Sequence, residues 1–316
     1  MKLWITRPLP ETVLDAARAL CEVEVRQETL PLTKEELRRA LTDFDMVLPT
    51  LGDVFSRHVF NELREVRCKL LANFGVGYNH IDVTAAQSRG VAVSNTPGAV
   101  TDATADIGMM LILMSARRAA EGERLVRAGA WPGWHPTQML GLHVTGKRVG
   151  IVGMGRIGQA IARRCHFGFG MEVSYFNRSE KTLDFPTSRA RSLTELAGAV
   201  DVLVVAVPAG TDTWHLIDAE VLGAMQSHAH LINIARGDVV DEGALIAALE
   251  ARSIGGAGLD VYEHEPAVPE ALTALDNVTL LPHLGTAALE VREAMGLMAV
   301  ENVAAFLEGK PLPNAV

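Results

Sequence analysis

Two periodicities alternate along this chain. Short apolar runs at 3–6, 23–26, 46–48, 70–73 and 91–94 have the length of buried strands, and amphipathic stretches at 11–20 and 33–41 lie between the first of them. Thr33 with Glu36 three positions on predicts a capped start for the second helix. Strands separated by helices need crossover connections, so this segment reads as a small parallel α/β unit of flavodoxin-like type. A long helix is predicted from Thr101 to about Ala128. After a looser stretch rich in Trp, Pro and His, the alternation resumes with strands at 148–152, 171–176, 201–206, 229–234, about 256–261 and 278–281, helices lying between the earlier ones. A last helix is predicted over 288–307. The expected layout is a Rossmann-type dinucleotide-binding domain (99–285) inserted into a flavodoxin-like substrate domain (1–98 and 286–316).

The second series opens on Val149-Gly150-Ile151-Val152-Gly153-Met154-Gly155-Arg156-Ile157-Gly158, a buried strand turning through G-x-G-x-x-G into an alanine-rich helix. Gly153 permits the tight turn, Gly155 lets backbone approach a pyrophosphate, and Gly158 lets helix and strand pack closely. Alone the pattern is common loop punctuation; the strand before it and the helix after it favour a dinucleotide site. The next strand ends in Asn177-Arg178-Ser179, where an NAD site usually carries Asp or Glu. An arginine between small polar residues suits a 2'-phosphate, so NADPH is expected in preference to NADH. An ordinary solvated turn is the alternative, and Glu180 just downstream counts against the phosphate.

The chain has 316 residues, 48% hydrophobic and 21% charged, which describes a globular protein with room for two cores. A formal charge of −9 argues against nucleic acid or an anionic membrane as partner, while leaving room for a locally cationic site and a small anionic substrate. Cys21, Cys68 and Cys165 are scattered and odd in number, which reads as reduced thiols in a cytoplasmic chain. The first residues read as a strand, without a targeting signal.

Three motifs fall at strand ends, where open parallel sheets build their sites. Asn233-Ile234-Ala235-Arg236-Gly237-Asp238 supplies an arginine, Glu263-His264-Glu265-Pro266 a carboxylate, and Leu281-Pro282-His283-Leu284-Gly285 a histidine. Together these types suit reduction of a 2-oxo acid. Arg236 can clamp the carboxylate and polarise the carbonyl, and His283 can protonate the forming alkoxide. Glu265 can orient the imidazole. Singly, each has a plainer reading: a surface ion-pair arginine, a turn carboxylate, a capping or core histidine. In the first segment, Gly75-Val76-Gly77 can form a backbone nest for a carboxylate, or be a turn capped by Asn79 or Asp82. Leu51-Gly52 is a second loop able to cover a substrate. His228-x-His230 has metal-binding spacing without an evident third ligand, so no metal is expected.

Taken in order, Gly75-Val76-Gly77-Tyr78-Asn79, Asn95-Thr96-Pro97-Gly98, Gly146-Lys147, Arg236-Gly237, Gly258-Leu259-Asp260-Val261, Glu265-Pro266 and Pro282-His283-Leu284-Gly285 resemble the D-isomer-specific 2-hydroxyacid dehydrogenases over nearly the whole length. The resemblance implies that Arg236, Glu265 and His283 are the catalytic set and that Val76 and Gly77 offer amides to the substrate carboxylate. It implies cofactor contacts from Val207, Pro208, Thr213, Ile234, Ala235, His283 and Gly285 besides the glycine run, with Asp260 near the nicotinamide carboxamide. It also implies a homodimer built through the cofactor domains. Within the family, Asn177-Arg178-Ser179 and Trp131-Pro132-Gly133-Trp134 look most like glyoxylate/hydroxypyruvate reductases. In that subgroup a tryptophan reaches across the dimer to close the partner's pocket; Trp134 is the candidate, with plain interface packing as the alternative. The activity expected is NADPH-dependent reduction of glyoxylate or hydroxypyruvate to the (R)-2-hydroxy acid, His283 acting as general acid. A phosphoglycerate dehydrogenase-like or other D-2-hydroxyacid dehydrogenase, and a non-enzymatic NAD(P)H-sensing corepressor, are the rivals.

Overall fold

The computed structural model describes residues 1–316, which divide into two compact units, Met1–Val100 with Ala287–Val316, and Thr101–Thr286.

In the first unit β1 (Lys2–Ile5), α1 (Glu11–Arg18), β2 (Glu22–Val25), α2 (Lys34–Asp43), β3 (Met46–Leu48), α3 (Arg57–Glu62), β4 (Leu70–Ala72), α4 (Val83–Ser88) and β5 (Ala92–Ser94) alternate. All strands pair in parallel in the order β2-β1-β3-β4-β5, the flavodoxin-like order. The capping box on α2 is present in full: Thr33 accepts from the Glu36 amide, and Glu36 accepts from the Thr33 amide. Such a cap contributes about 1 kcal/mol. One apolar layer packs Trp4, Phe44, Phe55 and Phe60 under α2 to α4, and the opposite layer seats Leu3, Ile5 and Leu48 against the C-terminal segment.

The second unit begins with α5 (Thr101–Ala116) and α6 (Ala119–Arg127). The single helix expected from Thr101 to about Ala128 is therefore broken. Arg118 sits in the left-handed region at φ 54°, and the Ala116 carbonyl accepts from the Leu142 amide at 2.8 Å in place of a helical donor. Then follow β6 (Arg148–Val152), α7 (Arg156–Arg163), β7 (Glu172–Phe176), β8 (Thr187–Arg189), α8 (Leu193–Ala199), β9 (Val202–Val205), α9 (Ala219–Ala224), β10 (His230–Asn233), α10 (Glu242–Glu250), β11 (Gly256–Leu259), α11 (Glu270–Thr273) and β12 (Val278–Leu280). The all-parallel sheet runs β12-β11-β10-β9-β6-β7-β8, a Rossmann order with one added strand. The apolar pattern does not predict β8, because Thr187-Ser188-Arg189 is short, polar and at the sheet edge. The order reverses between β6 and β9, so the C-terminal ends of these strands open the crevice where such sheets bind ligands.

The chain closes on α12 (Leu289–Leu307), which belongs to the first unit and buries Ala299, Val300 and Val303 in its core. No helix is long and apolar enough to cross a membrane.

Candidate active site

The glycine loop is shaped by contacts only glycine tolerates. Gly153 has φ 97°, and a Cβ there would lie 2.7 Å from the Ala206 carbonyl oxygen. A Cβ on Gly158 would lie 2.1 Å from the Gly153 carbonyl oxygen, so α7 rests directly on the turn. At Gly155, the residue before α7, a Cβ would meet nothing within 4 Å. That leaves open space in front of the helix start, where Arg156 is exposed and Ile157 half-buried. Unpaired amides at a helix N-terminus facing open space fit a diphosphate.

At the end of β7, Asn177 braces this loop. Its Oδ1 accepts from the Met154 amide at 3.2 Å, and its Nδ2 donates to the Ser179 carbonyl at 2.7 Å. Arg178 and Ser179 are exposed. Arg189, on the polar edge strand, donates to the carbonyls of Asn177 and Arg178 at 2.9 and 3.0 Å. Two arginines thus meet at the turn where a carboxylate would stand in an NAD site. After β9, the loop carrying Val207 and Pro208 is closed by Thr213, whose hydroxyl donates to the Pro208 carbonyl at 2.8 Å.

At the end of β10, buried Asn233 folds the turn that follows: its Oδ1 accepts from the Ala235 amide at 3.0 Å, and its Nδ2 donates to the Arg236 carbonyl at 2.9 Å. Ile234 and Ala235 are buried along this turn. The Arg236 guanidinium donates to the Ala235 carbonyl at 2.6 Å, while its buried Nε has no partner within the chain. Burial pushes the Arg236 guanidinium below its ordinary value, opposed by the charges of Glu265, Asp238 and Asp260. The guanidinium is thus held among carboxylates, with one buried donor left unanswered.

His283 and Glu265 meet directly, Nδ1 to Oε2, at 2.8 Å, each side chain a little over a quarter exposed. The other Glu265 oxygen accepts from the Tyr262 amide at 3.1 Å. Burial alone would raise the Glu265 carboxyl, but the His283 hydrogen bond and charge, with the Tyr262 amide and Arg236, hold it below the usual carboxylate range. An ionised carboxylate only accepts, so Nδ1 carries a proton and Nε2 is the ring nitrogen left for chemistry.

His283 has φ 55°, a conformation a non-glycine residue adopts at a cost of about 1 kcal/mol. The turn is held by Asp260, whose two carboxylate oxygens accept from the Leu284 amide at 2.6 Å and the Gly285 amide at 2.9 Å. Thr104 on α5 donates to the Gly285 carbonyl at 3.1 Å. Burial raises the Asp260 carboxyl, with the two amides and His283 opposing it. Sequence reasoning misses Asn233, Thr104 and this bracing role of Asp260; for Asn233 and Asp260 the available signal is a polar residue interrupting an apolar run.

In the first unit, Asn73 Nδ2 donates to the carbonyls of Gly75 and Gly77, and Asn95 Nδ2 to that of Val76. The loop's carbonyls are thereby held back, and the Val76 and Gly77 amides donate to no acceptor in the chain. Asp82 caps α4 through the Ala85 amide, the capped turn that is the plainer reading of this loop. Leu51 is 39% exposed in a turn anchored by fully buried Asp53, which accepts from Thr50, Leu32, Thr6 and Arg7. Trp134 is 78% exposed. The paired histidines are parted: His228 bonds Asp201 at 2.7 Å, and His230 bonds Ser115 at 2.7 Å, its ring pushed down to about 4 by burial and then by His228. No group of three potential metal ligands forms.

The sequence profile described as "D-isomer specific 2-hydroxyacid dehydrogenase, NAD binding domain" matches residues 109–285. A glyoxylate reductase of Pyrococcus furiosus is 42% identical over 100% of this chain and 95% of its own length. Among solved structures, a protein from Thermus thermophilus superimposes with TM-score 0.92 at 42% identity, each chain covered in full. An NADPH-dependent glyoxylate/hydroxypyruvate reductase from Sinorhizobium meliloti, solved with NADP and malonate, gives TM-score 0.87 at 34% identity, covering 100% of this chain and 96% of that one.

Proposed function

This chain belongs to the D-isomer-specific 2-hydroxyacid dehydrogenase family, and we propose that it reduces glyoxylate and hydroxypyruvate with NADPH, giving from hydroxypyruvate the (R)-2-hydroxy acid. It is an NAD(P)-dependent dehydrogenase, and two of the relatives named above are a glyoxylate reductase and a glyoxylate/hydroxypyruvate reductase. The observation that carries the reading is the His283–Glu265 pair at 2.8 Å, in the same unit as the open glycine loop and an arginine with an unanswered buried donor.

The loop from Gly153 to Gly158 would hold the diphosphate of the cofactor, and Val207, Pro208, Thr213, Ile234, Ala235, Asp260 and Gly285 would line its path. When bound, the reduced nicotinamide supplies the hydride that a 2-oxo acid takes at its carbonyl carbon. Arg236 binds the substrate carboxylate and draws electron density toward the carbonyl oxygen. Family resemblance extends a substrate-binding role to Val76, Gly77 and Leu51 of the first unit, a role supported by Val76 and Gly77 amides that donate to no acceptor in the chain. His283 holds a proton on Nε2 and delivers it to the oxygen as negative charge develops there, leaving the Nδ1–H tautomer on Glu265. In oxidation the same atom takes the proton back.

Preference for NADPH is supported by the cationic turn of Arg178 and Arg189 and by the absence of a carboxylate at the end of β7. A homodimer, with Trp134 reaching the partner's pocket, is supported by the exposure of Trp131 and Trp134. Three free cysteines support a cytoplasmic setting. The test is a panel of 2-oxo acids assayed with NADPH and with NADH. Highest kcat/KM for glyoxylate or hydroxypyruvate with NADPH is expected; cofactor binding with no turnover of any 2-oxo acid would instead indicate a sensor.

A further inference from the structure

We infer that Tyr262 is a positioning residue that aligns both members of the His283–Glu265 pair, through its backbone amide on one side and its phenol hydroxyl on the other. The inference rests on the proposed role of His283 as acid. Tyr262 follows β11 and is buried, with 7% of its surface exposed. Its amide donates to Glu265 Oε1 at 3.1 Å, and its hydroxyl donates to the Leu281 carbonyl at 2.8 Å, two residues before His283. Burial, then the nearby Asp260 and Glu265 charges, push the phenol up to about 12, so it remains a donor across the working range.

The position of Tyr262 is itself fixed. A Cβ on Gly237, the residue after Arg236, would lie 1.8 Å from the Tyr262 carbonyl carbon and 2.0 Å from its oxygen. The arginine turn and the carboxylate turn therefore lie backbone against backbone. His283 occupies a left-handed conformation between two anchors: the Leu281 carbonyl held by Tyr262, and the Leu284 and Gly285 amides held by Asp260. Removing the first anchor loosens the strained turn on the side that enters from β12, where Leu281 is then held only through its amide, which donates to the Leu259 carbonyl at 2.8 Å. The imidazole then loses its alignment with Glu265, although neither side chain of the pair has changed.

The experiment is Tyr262→Phe, which keeps the ring and its packing and deletes only the hydroxyl. Steady-state kcat, NADPH affinity by fluorescence titration, thermal midpoint and the primary isotope effect with 4-deuterated NADPH are read together. A fall in kcat on the order of five- to tenfold is expected from the loss of one hydrogen bond, with NADPH affinity unchanged and a larger isotope effect. A lower fraction of folded enzyme would reduce both isotopologues alike and leave the isotope effect where it was. Tyr262→Leu, which also removes the ring, should show the same kinetic change with a lower thermal midpoint. Wild-type kcat and isotope effect in Tyr262→Phe would overturn the inference while leaving the acid role of His283 intact. Retained turnover in His283→Asn would overturn that role itself.

Discussion

Replacing Glu265 with glutamine is an informative perturbation because the carboxylate answers two donors. The Tyr262 amide lies on Oε1 at 3.1 Å and His283 Nδ1 on Oε2 at 2.8 Å. Glutamine has a single acceptor oxygen, so one of these donors must face an NH2 group. If the oxygen turns to Tyr262, the amide NH2 faces His283 and selects the tautomer with its proton on Nε2 and a lone pair on Nδ1. Further protonation of that ring sets two donors against each other. If the oxygen turns to His283, the tautomer survives, but the negative charge that stabilises the imidazolium is gone and the Tyr262 amide faces a donor. In either orientation a charge-assisted hydrogen bond, worth about 1.5–3 kcal/mol, is lost from the protonated state, which corresponds to a roughly 10- to 150-fold fall in kcat. The glycine loop is untouched, so NADPH affinity should hold. The assay is oxidation of NADPH followed by absorbance with glyoxylate as substrate, alongside the isotope effect with deuterated NADPH. Wild-type turnover in Glu265→Gln with normal cofactor binding would refute a proton-delivering pair.

Two further outcomes follow from other parts of the molecule. Arg178→Ala should lower the ratio of kcat/KM for NADPH over NADH by about tenfold, because a charge-assisted contact to the 2'-phosphate is lost; an unchanged ratio would reassign the preference. Asp201 tests the pH dependence of stability. Burial would raise its carboxyl, yet Arg148, through backbone and side chain, together with His228 holds it well below the usual range. A depressed folded-state pKa adds stability that is present above the ordinary aspartate range and is lost as pH falls through it. Asp201→Asn should cost about 2 kcal/mol at neutral pH, the figure being reduced for the partly exposed Arg148, and the gap to wild type should narrow below about pH 4 in denaturant titrations.

Much of this architecture is readable from periodicity. Strands such as Val149–Val152 and Val202–Val205 are buried on both faces and stand out as unbroken apolar runs, and the glycines at 153 and 158 mark contacts that exclude a side chain. What escapes the sequence depends on partners distant in the chain. The break at Arg118 depends on Leu142 arriving to bind the Ala116 carbonyl. β8 is a polar edge with no apolar signature. The proposed catalytic residue types are legible at strand ends, whereas their supports are less so: the side chains of Thr104, Asn233 and Tyr262 bond distant or turn carbonyls, whose positions a sequence does not mark. Asp260, expected from resemblance beside the nicotinamide, is engaged through both oxygens with the His283 turn.

The decisive measurement is turnover of His283→Asn with NADPH and glyoxylate, paired with NADPH affinity by fluorescence. Loss of kcat by roughly two to four orders of magnitude at undiminished NADPH affinity is the predicted result. Turnover equal to wild type would contradict the assignment of His283 Nε2 as the proton source.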